Sequence, residues 1–576
     1  MKSVLAPAGT GTIKRTSLAE KAGVETATTD AVMANARSVR IRSFISRFPS
    51  RSSSRTRSFF VIEAKPAHLV QLVDNLFLAC PIVERVFAGM TMTETGERQA
   101  DLILTNGTIV TVDPERRVLD RSSVAVADGR ILEIGDATEL QEKYKFAEIL
   151  DCAHKAILPG LIDLHGYVGW SIMKSLGEGL DNAGIRDLYE RILSQLTDEE
   201  WWLVEAQMCA LDRVKFGTTF MFSMIGGNGT RTDDPVFTRL AARGLAQVGI
   251  RARLGIGPAR PPWPRLYSRW HDGVKSDQEI AFETVIDNCD KLLGEPRDPS
   301  GLVEYCTALS RFGNRNVHDP VWSEDREQWV HRQAEAIRHL MKKHNVPFWT
   351  HAYGNAVEYA YDEKLGLLGP DTILSHCTDL PARAIAIIKE TGTSVGHQPR
   401  IYRVINHDCP VIEMLDAGIA VGLGTDTPAK NAADLFLDMR AAMLLQRVRF
   451  RDARVLPPGK ALEMATIDGA RALGLEQEIG SIEVGKKADM ITIDLRQPHL
   501  YPPDMIPMRL VTNGSGNDVN DVVIGGRIVM RDRKMTTVDE GAILDRAFGL
   551  YRQTIQRGSL QGMTKLRDGF WNASRF

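Results

Sequence analysis

Between residues 159 and 475 the chain alternates short β-prone runs with longer amphipathic segments. No other feature restricts its fold so tightly. Strand-like runs lie at 159–165, 217–223, 251–256, 302–306, 346–350, 372–375, 393–395 and 419–423. Helical periodicity falls between them, at 197–216, 235–248, 277–293, 324–343, 355–364, 381–390 and 411–417. Thr197 and Glu200 have the spacing of a capping box at the start of the first helix. About eight strand–helix alternations over roughly 300 residues fit an α/β, (β/α)8 TIM-like barrel better than a doubly wound sheet. A dinucleotide fold is further disfavoured because no Gly-x-Gly-x-x-Gly follows the first strand.

The flanks read differently. From 99 to 158, β-branched runs are broken by Asn106-Gly107 and Asp128-Gly129, the grammar of hairpins. The unit is too small to bury a core of its own. Matching runs recur in 476–540, at Gly480 to Ile493 and Val519 to Val529. The expected arrangement is a composite β-sandwich built from the segments before and after the barrel at 159–475. The remaining 541–576 reads as a helical tail. Residues 1–98 lack hydrophobic periodicity. They carry Arg37, Arg40, Arg42, Arg47, Arg51, Arg55 and Arg57 among serines, without an acid from Ala31 to Ile62. Three readings stay open: an organelle transit peptide, a disordered tail, or translation upstream of the true start near Met90 or Met92.

Composition excludes several classes. The 576 residues carry a formal net charge of −2, so no nucleic-acid footprint is expected. No apolar run reaches the length of a membrane helix; the nearest, 69–83, contains Asp74 and Pro81. Seven scattered cysteines without a C-x-x-C read as reduced thiols of a cytoplasmic protein. Organelle import enters only if the basic leader is genuine.

Four run endings carry chemistry. Asp163-Leu-His165, Thr350-His351, Ser375-His376 and Thr425-Asp426 each close an apolar run with a polar side chain. In a barrel of this kind the C-terminal strand ends form the site. Three His and one Asp suit Zn²⁺, with Fe²⁺ or Mn²⁺ as alternatives. Such an ion lowers the pKa of its water toward about 7. Any single histidine among the thirteen is ordinarily structural; joint placement at strand ends singles these out.

The motifs Pro159-Gly-Leu-Ile-Asp-Leu-His165, Lys215-Phe-Gly-Thr-Thr219, Leu374-Ser-His376-Cys377, Gly422-Leu-Gly-Thr-Asp426 and Gly480-Ser-Ile-Glu-Val-Gly-Lys-Lys-Ala-Asp489 resemble the amidohydrolase superfamily. The similar branch contains triazine chlorohydrolases, guanine deaminase and S-adenosylhomocysteine deaminase. The resemblance spans about residues 100–535. It implies a metal-dependent hydrolase acting on C–N bonds, with a small-molecule substrate and no nucleic-acid or membrane partner. It also implies a homodimer or higher homo-oligomer. By position, His165 and His351 would ligate metal, Asp426 would ligate and shuttle a proton, and His376 would polarise substrate or water or bind metal. No lysine lies between 295 and 312, where the binuclear branches carry a bridging one, so one divalent metal ion is expected.

Two departures qualify that expectation. The family's His-x-His is His165-Gly-Tyr167 here, and Tyr167 serves as pocket wall or as an unusual ligand. The family's deaminases continue their His with x-x-Glu, whereas this chain reads His351-Ala-Tyr-Gly354. Trp170, Arg311 and Phe312, together with Tyr167, are the expected substrate-binding residues. Trp263 is a further candidate for the lining, and Arg400 a second anion holder. Glu178, Asp181, Glu304 and Asp379 are weak replacements for the missing acid. The leading function is attack by metal-activated hydroxide on an electrophilic carbon of an amide, urea or heteroaromatic compound. Carbon–halogen or carbon–sulfur hydrolysis, which needs less leaving-group protonation, is the alternative. A degenerate barrel acting as a binding subunit stands behind both.

Overall fold

A computed structural model describes residues 11–16, 40–46 and 57–64, and from Arg98 onward all residues except 181, 227–230, 297, 313–323, 402–406, 428–431, 567, 573, 575 and 576. The chain divides into two units, Met1–Glu97 and Arg98–Phe576. The first contains three antiparallel strands, Gly11–Thr16, Arg40–Ser46 and Arg57–Ala64, with the last in the middle. They occur in a segment whose sequence reads as patternless; the local runs Ser43-Phe-Ile45 and Phe59-Phe-Val-Ile62 supply the aromatic and β-branched residues that strands favour. The 69–83 run, Met90 and Met92 lie outside the described residues.

The second unit is built on eight parallel strands. They are β1 (Leu161–Val168), β2 (Thr218–Ile225), β3 (Arg251–Ile256), β4 (Val303–Leu309), β5 (Phe348–Tyr353), β6 (Thr372–Thr378), β7 (Ser394–His397) and β8 (Val421–Leu423). Each pairs with the next in chain order. A parallel bridge between Gly166 and Asp426 joins the ends of the ladder, and the Asp426 N–H donates to the His165 carbonyl at 2.8 Å. The sheet is therefore a closed barrel, and its closing contact falls on two residues of the expected site. Every residue of β1, β2 and β6 is buried, as parallel strands covered on both faces require.

Two local expectations are corrected. The helix over 197–216 runs Glu199–Val214 and is capped by Asp198, whose carboxylate accepts the Trp201 N–H at 2.9 Å. Thr197 turns inward instead, donating to the Leu193 carbonyl and accepting from the Trp202 indole. The helix expected over 277–293 begins only at Phe282; before it, Arg265–His271 and Val274–Ile280 pair as an antiparallel hairpin.

The flanking segments form one nine-stranded sheet. Lys155–Pro159 lies between Arg98–Val110 from its own end of the chain and Met490–Asp494 from the other. Its core draws on both ends: Leu102, Leu104, Ile109 and Ile157 pack with Ile482, Met490 and Val523. Ala100, Ile103 and Ala125 form a separate cluster with Leu140 and Tyr144. The tail forms a helix, Glu540–Gly558, tied to the start of Glu199–Val214 by Arg557–Asp198 and Arg546–Glu200. Among the described residues no helix is long and apolar enough to cross a membrane. The six described cysteines are free and buried, and burial pushes Cys152, Cys209 and Cys289 up to about 12, so they remain unreactive thiols.

Candidate metal centre

Residues alternate across a strand, so His165 and Tyr167 share one face of β1. A bulge in the pairing with β2 between Asp163 and Gly166 breaks the alternation before them and leaves Asp163 on the side of Arg213. Gly166 lies between His165 and Tyr167 on the opposite face, where an added Cβ would collide with the Arg213 guanidinium. Gly424 is constrained in the same way, its α-carbon standing against His165. Gly424 lets the end of β8 approach β1 closely enough to bring His165 and Asp426 together, while Gly166 leaves room for Arg213.

His165, His351 and His376 end on one point. One ring nitrogen from each lies within 4.8 Å of the others, and all three residues are buried. His165 Nε2 lies 3.4 Å from Asp426 Oδ1. His351 and His376 stack at 5.0 Å, and His165 meets both edge-on. His165 is fully buried, stacks on Trp349 at 4.7 Å, and neither ring nitrogen has a hydrogen-bond partner. A buried imidazole without partners costs stability. Three imidazoles and one carboxylate around such a group form a donor set that could hold a divalent cation.

The backbone contributes strain at the same place. His376 and Asp426 take φ of +70° and +61°, in the left-handed region, at the ends of β6 and β8. Each such residue costs about 1–3 kcal/mol, and such residues concentrate at functional sites. The His376 N–H is held by Gln398 Oε1 at 2.8 Å. His351 is oriented by the Ser310 carbonyl at Nδ1 and by the Tyr167 hydroxyl at Nε2, the latter at 2.6 Å.

Beneath the cluster lies a buried network that sequence reasoning did not single out. Asp163 pairs with Arg213 at 2.9 Å, accepts from the Thr425 hydroxyl at 2.6 Å and backbone at 2.9 Å, and accepts the His165 N–H at 3.1 Å. Asp163 was visible in the sequence only as part of the Asp163-Leu-His165 run ending; Arg213, fifty residues away on a helix, had no signal. Glu205, also fully buried, accepts the N–H groups of Gly169, Ser171 and Ile172 and so fixes the turn that carries Trp170.

The other expected residues are less concentrated. Trp170 stands 5.8 Å from the Tyr167 ring and stacks on Tyr189 at 3.9 Å. Arg311 follows β4 and is half-buried. Phe312 is in the core, its ring against Phe348, and Trp263 meets Phe282. Arg400 is engaged by Asp438 at 2.7 Å. Of the proposed acids, Glu178 is exposed, Glu304 pairs with Arg253, and Asp379 contacts His407 and the Asp408 N–H. Asp181 lies outside the described residues. Tyr353, not singled out in the sequence, lays its ring on His376 at 5.3 Å.

Known proteins place this architecture. A 5-methylthioadenosine/S-adenosylhomocysteine deaminase of Syntrophobacter fumaroxidans is 29% identical over 467 residues, covering 78% of this chain and 98% of its own. A 5'-deoxyadenosine deaminase of Methanosarcina mazei is 27% identical, with 78% and 97% covered. Among solved structures, a zinc-bound adenosine deaminase of Xanthomonas campestris superposes with a TM-score of 0.67 at 22% identity, over 80% of this chain and all of its own. The zinc complex of atrazine chlorohydrolase from Arthrobacter aurescens gives 0.64 at 19%, over 78% of this chain and all of its own. The profile of the amidohydrolase family matches residues 156–529, from the strand that enters the barrel to the far strands of the flanking sheet, and the chain belongs to that family.

Proposed function

We propose that this protein is a metal-dependent hydrolase that cleaves a C–N bond, other than a peptide bond, at an electrophilic carbon of a small heteroaromatic substrate. The carrying observation is the convergence of His165, His351, His376 and Asp426 at one end of the barrel, with His165 buried and neither of its ring nitrogens hydrogen-bonded among the described residues. Zinc is the ion of choice, with His165, His351 and Asp426 as ligands and His376 either a further ligand or the group that polarises substrate or water. When bound, such an ion lowers the pKa of water toward about 7. Asp426 is placed to take the proton of the attacking water, because its carboxylate stands at the cluster, 3.4 Å from His165 Nε2. His376, held through its backbone by Gln398, steadies the developing oxyanion. Tyr167 and Trp170 wall the pocket.

The deaminases among the relatives support an aminated purine nucleoside as the first substrate to try. Arg260, after β3, supports an anionic group on that substrate. Its guanidinium is pushed down to about 9 by burial and by the nearby Arg311, Arg186 and Arg326, a cluster of like charge that Glu190, 3.3 Å away and shared with Arg265, answers with one carboxylate. A specific observation favours the second reading, carbon–halogen or carbon–sulfur cleavage. Gly354, where the deaminase acid would stand, takes φ +52°, a conformation that disfavours a restored side chain. Exposed Leu444 and Val448, and Met505 and Met508 at the adjacent helix Ile506–Asn513, support a homo-oligomer, and the free buried thiols support a cytoplasmic setting.

The test is direct. Zinc-loaded full-length protein is incubated separately with 5'-deoxyadenosine, 5-methylthioadenosine, S-adenosylhomocysteine and a chloro-triazine. Ammonia release is expected from at least one nucleoside. Chloride release without ammonia favours the second reading, and no product together with no bound metal rejects both.

A further inference from the structure

Tyr167 does more than line the pocket. Its hydroxyl lies 2.6 Å from Nε2 of His351. The opposite nitrogen, Nδ1, faces the carbonyl of Ser310. A carbonyl only accepts, so Nδ1 carries the ring proton and Nε2 presents a lone pair. The Tyr167 O–H therefore donates into the same lone pair that His351 would offer a cation. His165, two residues before Tyr167 on the same strand face, has no such cap on either nitrogen. The tyrosine is held in place: 8% exposed, it packs against Trp170.

We propose that Tyr167 is a built-in competitor of the metal, capping His351 Nε2 and releasing it only when the ion binds. This rests on the metal reading above and adds to it. A histidine at 167 would bring a further ligand to the ion, whereas the tyrosine brings a donor that must be displaced first. The expected consequence is a centre that takes up and gives up its ion more readily than its three histidines and aspartate would otherwise allow. The closed Tyr167–His351 pair satisfies one buried imidazole in the ion's absence, so the protein tolerates the empty state.

Zinc affinity of the full-length chain, measured by competition with a chromophoric chelator, decides the matter. Tyr167→Phe keeps the ring and deletes the donor, and it is expected to bind zinc about tenfold more tightly. Zinc addition to the unsubstituted protein is expected to give a tyrosine ultraviolet difference spectrum that Tyr167→Phe lacks. That signal needs no folded variant other than the natural chain to be sought. Equal or weaker zinc binding by a folded Tyr167→Phe overturns the inference and leaves the metal reading standing. So does the absence of a tyrosine signal when zinc binds. No zinc bound by either protein overturns both.

Discussion

Asp163 and Arg213 form a 2.9 Å ion pair in which both side chains are wholly shielded from solvent. The pair sits directly under the histidine cluster. It links β1 to the helix Glu199–Val214 and to Thr425, the residue before Asp426. Arg213→Met leaves a buried carboxylate without its cation, and a loss of about 3–5 kcal/mol is expected in denaturant unfolding. Metal affinity falls with it by roughly tenfold, since Thr425 and His165 lose their anchor. The double change Arg213→Met with Asp163→Leu recovers much of the stability and none of the affinity, a split that unfolding and metal titration together would detect.

Removing a proposed ligand separates folding from chemistry. His351→Ala and Asp426→Asn are expected to unfold within about 1–2 kcal/mol of the unchanged protein. Turnover should drop by about 10³-fold or more. Elemental analysis should find less metal in both. Full metal content in both variants would exclude these residues from the centre.

Acid stability has a localised source. His397, at the end of β7, is completely buried, and burial lowers it to about 4 from an ordinary 6.5. Between those values the unfolded chain binds a proton that the folded chain refuses. The contribution of His397 to stability is therefore full above about pH 6.5 and is lost as pH falls toward 4, by up to about 3 kcal/mol. Chelator-treated protein should show this slope in urea unfolding, and His397→Phe should flatten it. An unchanged slope would place the acid sensitivity elsewhere.

The proposed contact of Arg311 and Arg260 with a substrate anion can be tested by substitution. Alanine at either is expected to raise KM about tenfold or more for substrates carrying a carboxylate, with kcat little changed, and to leave uncharged analogues alone. Equal effects on charged and uncharged substrates would assign both arginines to structure.

The parts of this molecule that were legible in the sequence are those governed by short-range pattern. His165, His351, His376 and Asp426 announce themselves because each ends an apolar run, and runs of that length in alternation with helices become barrel strands. The hairpin Arg265–His271 and Val274–Ile280 was missed for a physical reason. Its second strand is exposed at nearly every position, so the usual alternation is absent and its acids look like a helix start. The turn Asp272-Gly273, with φ of +49° and +77°, was the overlooked sign. At Thr197 the pattern was present, but its hydroxyl found the buried Leu193 carbonyl and the Trp202 indole, and Asp198 took the cap. Arg213 illustrates the limit. A cation on an amphipathic helix is ordinarily solvated, and only the tertiary fold turns it inward to Asp163.

The nine-stranded sheet imposes an order on the chain's own synthesis. Lys155–Pro159 emerges from the ribosome long before its partner Met490–Asp494, yet it is paired with that strand from Pro159 opposite Met490 onward. Until the far segment arrives, the nascent barrel carries an open strand edge beside its entrance, the type of surface on which other chains nucleate. A chain interrupted before residue 490 is thus expected to be bound by chaperones or to aggregate, rather than to accumulate as a smaller working barrel.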